Sequence, residues 1–175
     1  DLDLRAGGKV GFNGTTFQPL QVHMSGALTG SSVGDLSILA VAGDLTVGSA
    51  APWGTLISGG ALTLNVPHGA ISINADIRSV GLMQLLADGA VTFADGTSAA
   101  PVVATSSAGG VTLASASLSM GAYSVIAATG AISVTTTGDA TIGQLISALS
   151  YAAASNAPSI TVTAGGVASL GAILD

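Results

Sequence analysis

The sequence contains no cysteine and no glutamate, and only 3 of its 175 residues are basic. Without cysteine, the chain has neither a disulfide nor a thiolate metal site. The three bases, Arg5, Lys9 and Arg78, stand against nine acids that are all aspartate, so the net charge is −6. A chain with so few basic residues has no cationic patch, which makes nucleic acid and anionic lipid headgroups poor partners.

Charged and aromatic side chains are scarce as well, at 7% and 3% of the residues, whereas 25 residues are glycine. The residues that usually cover solvent-facing helix surfaces are therefore missing, while abundant Val, Ile, Thr and Gly favour strands and turns. No window of about 18 residues is free of Gly, Ser, Thr and Asp, which argues against a membrane-spanning helix and predicts no membrane insertion. The composition predicts an all-β chain.

A short formula recurs along the chain: glycine, then a small residue or Asp, then apolar, Ser or Thr, apolar. Period-two alternation places the aliphatic side chains on one face of a strand and the hydroxyl on the other. The glycine suits a corner that needs positive φ or a close backbone approach, and the Asp can accept hydrogen bonds from turn amides. Copies of the formula, some of them shortened, begin at Gly26, Gly34, Gly43, Gly60, Gly69, Gly89, Gly110, Gly130, Gly138 and Gly166.

The spacing of the glycines predicts a coil. The glycines at positions 69, 89, 109 and 130 are almost evenly spaced, and those at positions 26, 43 and 60 are evenly spaced at a slightly shorter interval. Coils of about 17–21 residues with two or three strands each fit a parallel β-helix, or β-solenoid, formed by a single chain. Because the pattern runs to both ends, we interpret residues 1–175 as one segment of a longer repetitive protein, whose end coils favour end-to-end self-association.

The alternation also predicts which side chains face the interior. The predicted inward set is Leu36, Leu45, Val47, Leu62, Leu64, Ile71, Ile73, Val91, Phe93, Val111, Leu113, Ile132, Val134, Ile142, Ile160 and Val162. The predicted outward set is Ser37, Thr46, Thr63, Ser72, Thr92, Thr112, Ser133, Thr141 and Thr161. One turn alone cannot bury its apolar face, so stability is expected to come from stacked neighbours.

Four segments depart from the formula and are predicted to form side loops, near residues 11–22, 48–58, 94–108 and 151–158. In the first of them, Asn13-Gly14 stands between two phenylalanines, a strong signal for a hairpin turn. Repeat proteins often keep their specificity in such loops. Phe17, Trp53 and Tyr151 are therefore the candidate contact residues, with capping of an apolar patch as the alternative.

Repeats such as Gly43-Asp-Leu-Thr-Val, Gly60-Ala-Leu-Thr-Leu and Gly130-Ala-Ile-Ser-Val make residues 26–170 resemble the filamentous haemagglutinin-like exoproteins of Gram-negative bacteria. That resemblance implies a right-handed β-helix in a large secreted or outer-surface adhesin, commonly exported by a two-partner route. The Asn-Pro-Asn-Gly secretion motif and the Arg-Gly-Asp tripeptide known in that family do not occur here. The resemblance therefore supplies neither an export route nor a receptor for this chain.

Residues able to support chemistry are few. His23 and His68 are the only imidazoles, Asp76 and Arg78 form a close acid–base pair, and Asp88 and Asp95 flank a predicted strand. A catalytic or metal-binding interpretation needs several such groups to converge, and single Asp corners supply too few oxygens for calcium even if Asp35, Asp44 and Asp139 are counted together. We predict no enzyme activity, no cofactor and no metal.

The sequence leaves three functional hypotheses. The first is a structural shaft segment of a bacterial adhesin, secreted or at the outer cell surface, that presents a binding region to a receptor or glycan on a host or neighbouring cell. The second is a solenoid binding module whose flat Ser/Thr face recognises ice or a glycan, with Thr135–Thr137 and Thr161–Thr163 as the Thr-x-Thr pairs. The third is a polysaccharide-degrading β-helix enzyme that uses Asp88 or Asp95.

Overall fold

The computed structural model describes residues 1–48, 54–147 and 160–174. Over these ranges the chain forms strands and no helix. The strands are β1 (Leu2–Ala6), β2 (Phe12–Asn13), β3 (Thr16–Phe17), β4 (Leu20–Val22), β5 (Ala27–Ser32), β6 (Leu36–Ala40), β7 (Leu45–Val47), β8 (Leu56–Ser58), β9 (Leu62–Val66), β10 (Ile71–Ile73), β11 (Ile77–Ser79), β12 (Met83–Ala87), β13 (Ala90–Phe93), β14 (Val102–Ser106), β15 (Val111–Ser115), β16 (Ser117–Met120), β17 (Ser124–Ala128), β18 (Ile132–Thr136), β19 (Ala140–Ser147), β20 (Ile160–Ala164) and β21 (Ala168–Leu174). The all-β prediction is confirmed.

The strands stack in parallel as a β-helix with three faces, which confirms the predicted fold class. Face 1 contains β7, β10, β13 and β16, and face 2 contains β8, β11, β14 and β17. Strands β1, β5, β19 and β21 bend across both faces and join them into one 12-stranded sheet. Face 3 is a separate 7-stranded sheet of β4, β6, β9, β12, β15, β18 and β20. The right-handed sense that the resemblance implies stays a prediction.

The coil length varies more than the glycine spacing predicts. The coil that joins Ile71 to its partner Val91 has the predicted length, but the coil from Leu45 to Ile71 and the coil from Ala140 to Ala168 are clearly longer. Each full coil has three strands, and the longer coils carry extra residues at a corner or in a side hairpin. The even spacing of the glycines at 43 and 60 is misleading because they precede strands on different faces.

The core consists of aliphatic columns that run along the stack. One column on face 3 joins Leu36, Leu62, Met83, Val111 and Ile132 through consecutive strand pairs. The predicted inward set is confirmed, since its members up to Ile142 are buried, and Ile160 and Val162 in β20 are half-buried and pack against the core. Stacking of aliphatic side chains between neighbouring coils is the main source of stability in a repeat fold.

A column of inward-facing serines lies at the end of face 2 and was not predicted. Ser32, Ser58, Ser79 and Ser106 pair successively, and all four are buried. Each hydroxyl donates to a carbonyl oxygen at the corner that follows face 2; that of Ser79, for example, donates to Gly81 over 2.8 Å. The buried serines thereby satisfy their own hydroxyls and give the corner carbonyls a hydrogen-bond donor.

The formula glycines serve mainly for close backbone approach. Among the described residues, Gly43 is the only one of them with positive φ, at 74°. A Cβ on Gly69 would lie 2.6 Å from the carbonyl carbon of Gly43, and a Cβ on Gly89 would lie 2.8 Å from the oxygen of Gly69. Glycine therefore stacks on glycine at this corner because successive coils leave no room for a side chain.

Three of the predicted side loops are shorter in the structure than predicted, because each range includes a strand of the stack. Residues 11–22 contain the expected hairpin, with Phe12 paired to Phe17 in β2 and β3, but they end in β4 of face 3. Residues 48–58 end in β8, and residues 94–108 contain β14. Residues 151–158 lie outside the described ranges. The strands within these loops belong to face 2 or to the first coil, where the Gly-led formula is absent.

Candidate binding surfaces

Most of the aspartates hold neighbouring coils together. In six of them, Oδ1 accepts a hydrogen bond from a backbone N–H in the next coil, 26 to 28 residues later, at 2.7–3.1 Å. The pairs are Asp1 with Ala27, Asp35 with Ala61, Asp44 with Ala70, Asp76 with Val103, Asp95 with Ala122 and Asp139 with Val167. These carboxylates act as inter-coil staples at the corners of the β-helix.

Asp35 joins three successive coils. Its Oδ1 accepts from the N–H of Ala61 at 2.9 Å, and its Oδ2 lies 2.7 Å from Nζ of Lys9 in the first coil. The hydrogen bond from Lys9, followed by that from Ala61, holds the pKa of Asp35 below its ordinary value. Both contacts favour the ionised carboxylate.

The charged pairs singled out in the sequence are either engaged in other contacts or separated from each other. Arg78 donates to Asp76 over 2.8 Å at an exposed position, while the other oxygen of Asp76 accepts from Val103. Asp88 follows β12 and Asp95 follows β13, so the two acids lie at successive corners with face 1 between them. Asp95 is engaged by the N–H of Ala122, at 3.1 Å.

The two histidines do not belong to a metal site in the described residues. His23 follows β4 and His68 lies at the corner after β9, and both residues are exposed. Within residues 1–48, 54–147 and 160–174, no three His or Asp side chains come together in a group able to hold a metal ion.

Of the candidate contact residues, Phe17 lies within the described ranges, and Trp53 and Tyr151 lie outside them. Phe17 projects on the β2–β3 hairpin, where it is 58% exposed and packs edge-on against Phe12, with ring centroids 5.5 Å apart. Nζ of Lys9 lies 5.0 Å from the centroid of Phe12. The hairpin therefore presents an aromatic pair that is anchored to the stack through Lys9 and Asp35.

The outward hydroxyls form a ladder on face 1. Thr46, Ser72, Thr92, Ser119, Thr141 and Ser169 pair successively, one from each coil. Face 3 offers Thr-x-Thr geometry only near its end, where Ser133 and Thr135 stand beside Thr161 and Thr163. The regular hydroxyl array on this structure is thus one residue wide over most of its length.

Ser37 was predicted to face solvent, and it is the one member of the predicted outward set that is buried. Its side chain is 3% exposed because the first coil covers it: its N–H donates to Val10 over 3.0 Å, and Gly11 lies against it. Its hydroxyl is the one buried side-chain polar group without a hydrogen-bond partner in the described part of the chain. The root of the hairpin, not solvent, therefore faces this position.

A groove of about 340 Å³ crosses the outer surface of face 3 at its corner with face 1. One column of outward side chains, Asn65, Leu86, Ala114 and Thr135, lines it together with four residues just beyond the ends of the same strands, Pro67, Asp88, Ala116 and Thr137. The surface is lowest at Ala114 and Ala116. Their coil lies between the coil that contains Leu86 and Asp88 and the coil that contains Thr135 and Thr137. Asp88 is exposed, and its carboxylate is the only one in the described residues that makes neither a hydrogen bond nor an ion pair.

The sequence contains only a partial signal for these surfaces. The groove is formed by residues from four neighbouring coils. A single sequence shows which residues of different coils lie side by side only where the formula is regular. The Asp staples had a signal, because a glycine followed by Ala or Val stands about one coil after several of the aspartates, as with Gly60-Ala61 after Asp35.

No family model, curated protein or solved structure matches this chain. None of the described residues forms a helix of the length and apolar character needed to cross a membrane. The resemblance to filamentous haemagglutinin-like exoproteins therefore stays a hypothesis based on the repeats and the parallel β-helix.

Proposed function

We propose that this chain is a structural shaft segment of a bacterial adhesin, secreted or at the outer cell surface, that presents a binding region for cell adhesion. The observation that supports the proposal is the parallel stack from β1 to β21, with apolar columns inside and Asp staples at its corners. Eight strands stack along this side of the β-helix, namely β1, β5, β7, β10, β13, β16, β19 and β21. At about 4.8 Å between neighbouring strands, they make a rod roughly 35 Å long. A rod of this kind holds a side loop away from its point of attachment.

The presented region in this proposal is the β2–β3 hairpin. Exposed aromatic rings are common anchors at protein interfaces, and Phe17 is both exposed and held in place by Phe12. The partner is a receptor or glycan on a host or neighbouring cell. The proposed role needs no catalytic step, cofactor or metal.

Attachment of coated beads to cells tests this role. Beads carrying the purified chain are expected to attach to cultured epithelial or bacterial cells more often than beads carrying albumin, and Phe17→Ser is expected to lower attachment. Tyr123→Ser is the matched control, because Tyr123 is an exposed aromatic at 49% on another part of the surface. Attachment no greater than that of albumin on every cell type, or equal loss in both variants, contradicts the proposal.

A second candidate is a binding module that uses the face 1 ladder, and the continuous column from Thr46 to Ser169 supports it. Regular hydroxyls about 4.8 Å apart offer a repeating surface to ice or to a polymer of similar repeat. Thermal hysteresis that is lost in Thr92→Lys supports ice binding, and its absence in the unmodified chain contradicts it. Depolymerisation of an acidic polysaccharide, lost in Asp95→Ala, is the corresponding test of the enzyme hypothesis.

A further inference from the structure

We infer that the groove on face 3 is a binding site for a neutral saccharide. It lies on a different part of the surface from the hairpin, and the inference goes beyond the proposed presentation of that hairpin. It rests on three features that occur together: an apolar floor, hydroxyls on one side and an unpaired carboxylate on the other. A protein site for a small ligand combines these elements, an apolar surface with a few convergent polar groups.

The floor consists of Ala114 and Ala116. Their small side chains lie on one level of the stack, between the level of Leu86 and Asp88 and the level of Thr135 and Thr137. The two flanking levels are about 9.5 Å apart, since each inter-strand spacing is close to 4.8 Å. Methyl groups at the base of a groove of this width suit the C–H face of a sugar ring.

The polar groups match sugar hydroxyls. An ionised carboxylate only accepts hydrogen bonds, so the unpaired carboxylate of Asp88 suits two adjacent hydroxyl donors. Thr135 and Thr137 are exposed on the opposite side: the Thr135 hydroxyl can donate or accept, while that of Thr137 donates to the carbonyl of Ala116 over 3.4 Å and can accept from a ligand. Every other carboxylate of the described residues is engaged by a backbone N–H or by Arg5, which leaves Asp88 as the carboxylate available to a ligand.

Charge decides which class of saccharide fits. The chain has a net charge of −6, and the groove contains Asp88 and no basic residue. A uronic acid or sialic acid would place a second negative charge near this carboxylate and would be repelled. A cation is a poorer occupant because one carboxylate supplies too few of the six to eight oxygens that calcium takes.

Nuclear magnetic resonance of the alanine methyl groups tests the inference. The probes are the methyl glycosides of glucose, galactose, mannose and N-acetylglucosamine, with galacturonic acid and calcium chloride as charged comparators. At least one neutral glycoside is expected to shift the Ala114 and Ala116 signals saturably, with a Kd in the range of about 1 mM that few contacts provide. Galacturonic acid is expected to bind more weakly than the galactoside.

Variants link the signal to the groove. Asp88→Ala is expected to weaken binding about tenfold, in line with the loss of a charge-assisted hydrogen bond, without changing stability. Ala114→Leu is expected to abolish binding by filling the dip. The matched controls are Asp3→Ala, which removes an acid elsewhere, and Ala127→Leu, which enlarges an outward alanine on face 2; both are expected to bind as the unmodified chain does.

Three results would overturn the inference: no neutral glycoside shifts the Ala114 and Ala116 signals, binding survives in Ala114→Leu, or calcium or galacturonic acid binds as well as the neutral glycosides. Bead attachment through the hairpin is measured separately. Loss of glycoside binding with attachment intact removes the groove alone, and failed attachment with glycoside binding intact removes the hairpin role alone.

Discussion

The backbone N–H of Ala61 donates a 2.9 Å hydrogen bond to Oδ1 of Asp35, a residue 26 positions earlier in the chain and one coil away. The glycine before Ala61 is required by the same contact, because a Cβ on Gly60 would collide with the Asp35 carboxylate. Asp in one coil and Gly-Ala in the next are therefore two halves of a single structural unit. This relationship explains why the formula includes both Gly-Asp and Gly-Ala copies.

Replacing Asp35 tests the staple. Asp35→Ala removes the acceptor for Ala61 and the ion pair with Lys9, and we expect a loss of about 1–2 kcal/mol in the free energy of unfolding, reduced from the buried case because the carboxylate is partly exposed. Urea denaturation followed by circular dichroism measures the loss. Asp3→Ala is the control, since Asp3 contacts only exposed Arg5, and an equal loss in both variants would contradict the staple role.

Acid should weaken the same contact. The pKa of Asp35 in the folded chain lies below its ordinary value of 3.8, so the stabilisation is fully present above that value and is lost as the pH falls through the folded pKa. We expect the urea midpoint to decrease below about pH 4. In Asp35→Asn the decrease should be smaller, and a decrease of the same size in both proteins would assign it to other groups.

The glycine ladder predicts a contrast between two Gly→Ala changes. A Cβ at position 69 would lie 2.6 Å from the carbonyl carbon of Gly43 and 2.8 Å from Oδ1 of Asp44, so Gly69→Ala must push two coils apart. The expected cost is about 1–3 kcal/mol, as for other overpacked sites. At Gly8 nothing lies within 4 Å, and Gly8→Ala is expected to be neutral or slightly stabilising. Thermal unfolding of both variants distinguishes them, and similar midpoints would show that the coils can separate without penalty.

The serine column predicts a loss that depends on a hydroxyl and not on volume. Ser79→Ala removes the 2.8 Å hydrogen bond to the carbonyl of Gly81 and is expected to cost about 1 kcal/mol. Alanine fits the site sterically, because Ala128 occupies the same column next to Ser106. Ser119→Ala, on the exposed ladder of face 1, serves as the control and is expected to be within about 0.5 kcal/mol of the unmodified chain. Equal stability of the two variants would assign no role to the buried hydroxyl.

The fold class and the inward positions of faces 1 and 3 could be predicted from the sequence, because most strands there follow a glycine and alternate with period two. Face 2 could not, since its strands, such as Leu56–Ser58 and Ile77–Ser79, lack the leading glycine. Their shared feature is a terminal serine, which has a meaning only once the corner carbonyls are in place. The predicted coil length holds for the shorter coils only, because the longer ones carry extra residues at a corner or in a side hairpin.

The surfaces were harder to predict for a related reason. The outward position of Ser37 follows from alternation, but its burial depends on the segment between Val10 and Leu20 that forms the hairpin and its root. The face 3 groove depends on two small residues meeting one level from Asp88, across coils of unequal length. Period two fixes the direction of a side chain, whereas its surroundings depend on how the coils are aligned.

Alternation within one strand provides the most direct test of the stack. Ile73 is fully buried between Val47 and Phe93 in the neighbouring coils, while Ser72 beside it faces outward. Ile73→Ala should cost about 2–5 kcal/mol, because it removes a fully buried aliphatic side chain and leaves a cavity in the column. Ser72→Ala should change the free energy of unfolding by less than about 0.5 kcal/mol. If urea denaturation showed the opposite order, β10 would be paired one residue out of register, and every inward and outward assignment on face 1 would be reversed.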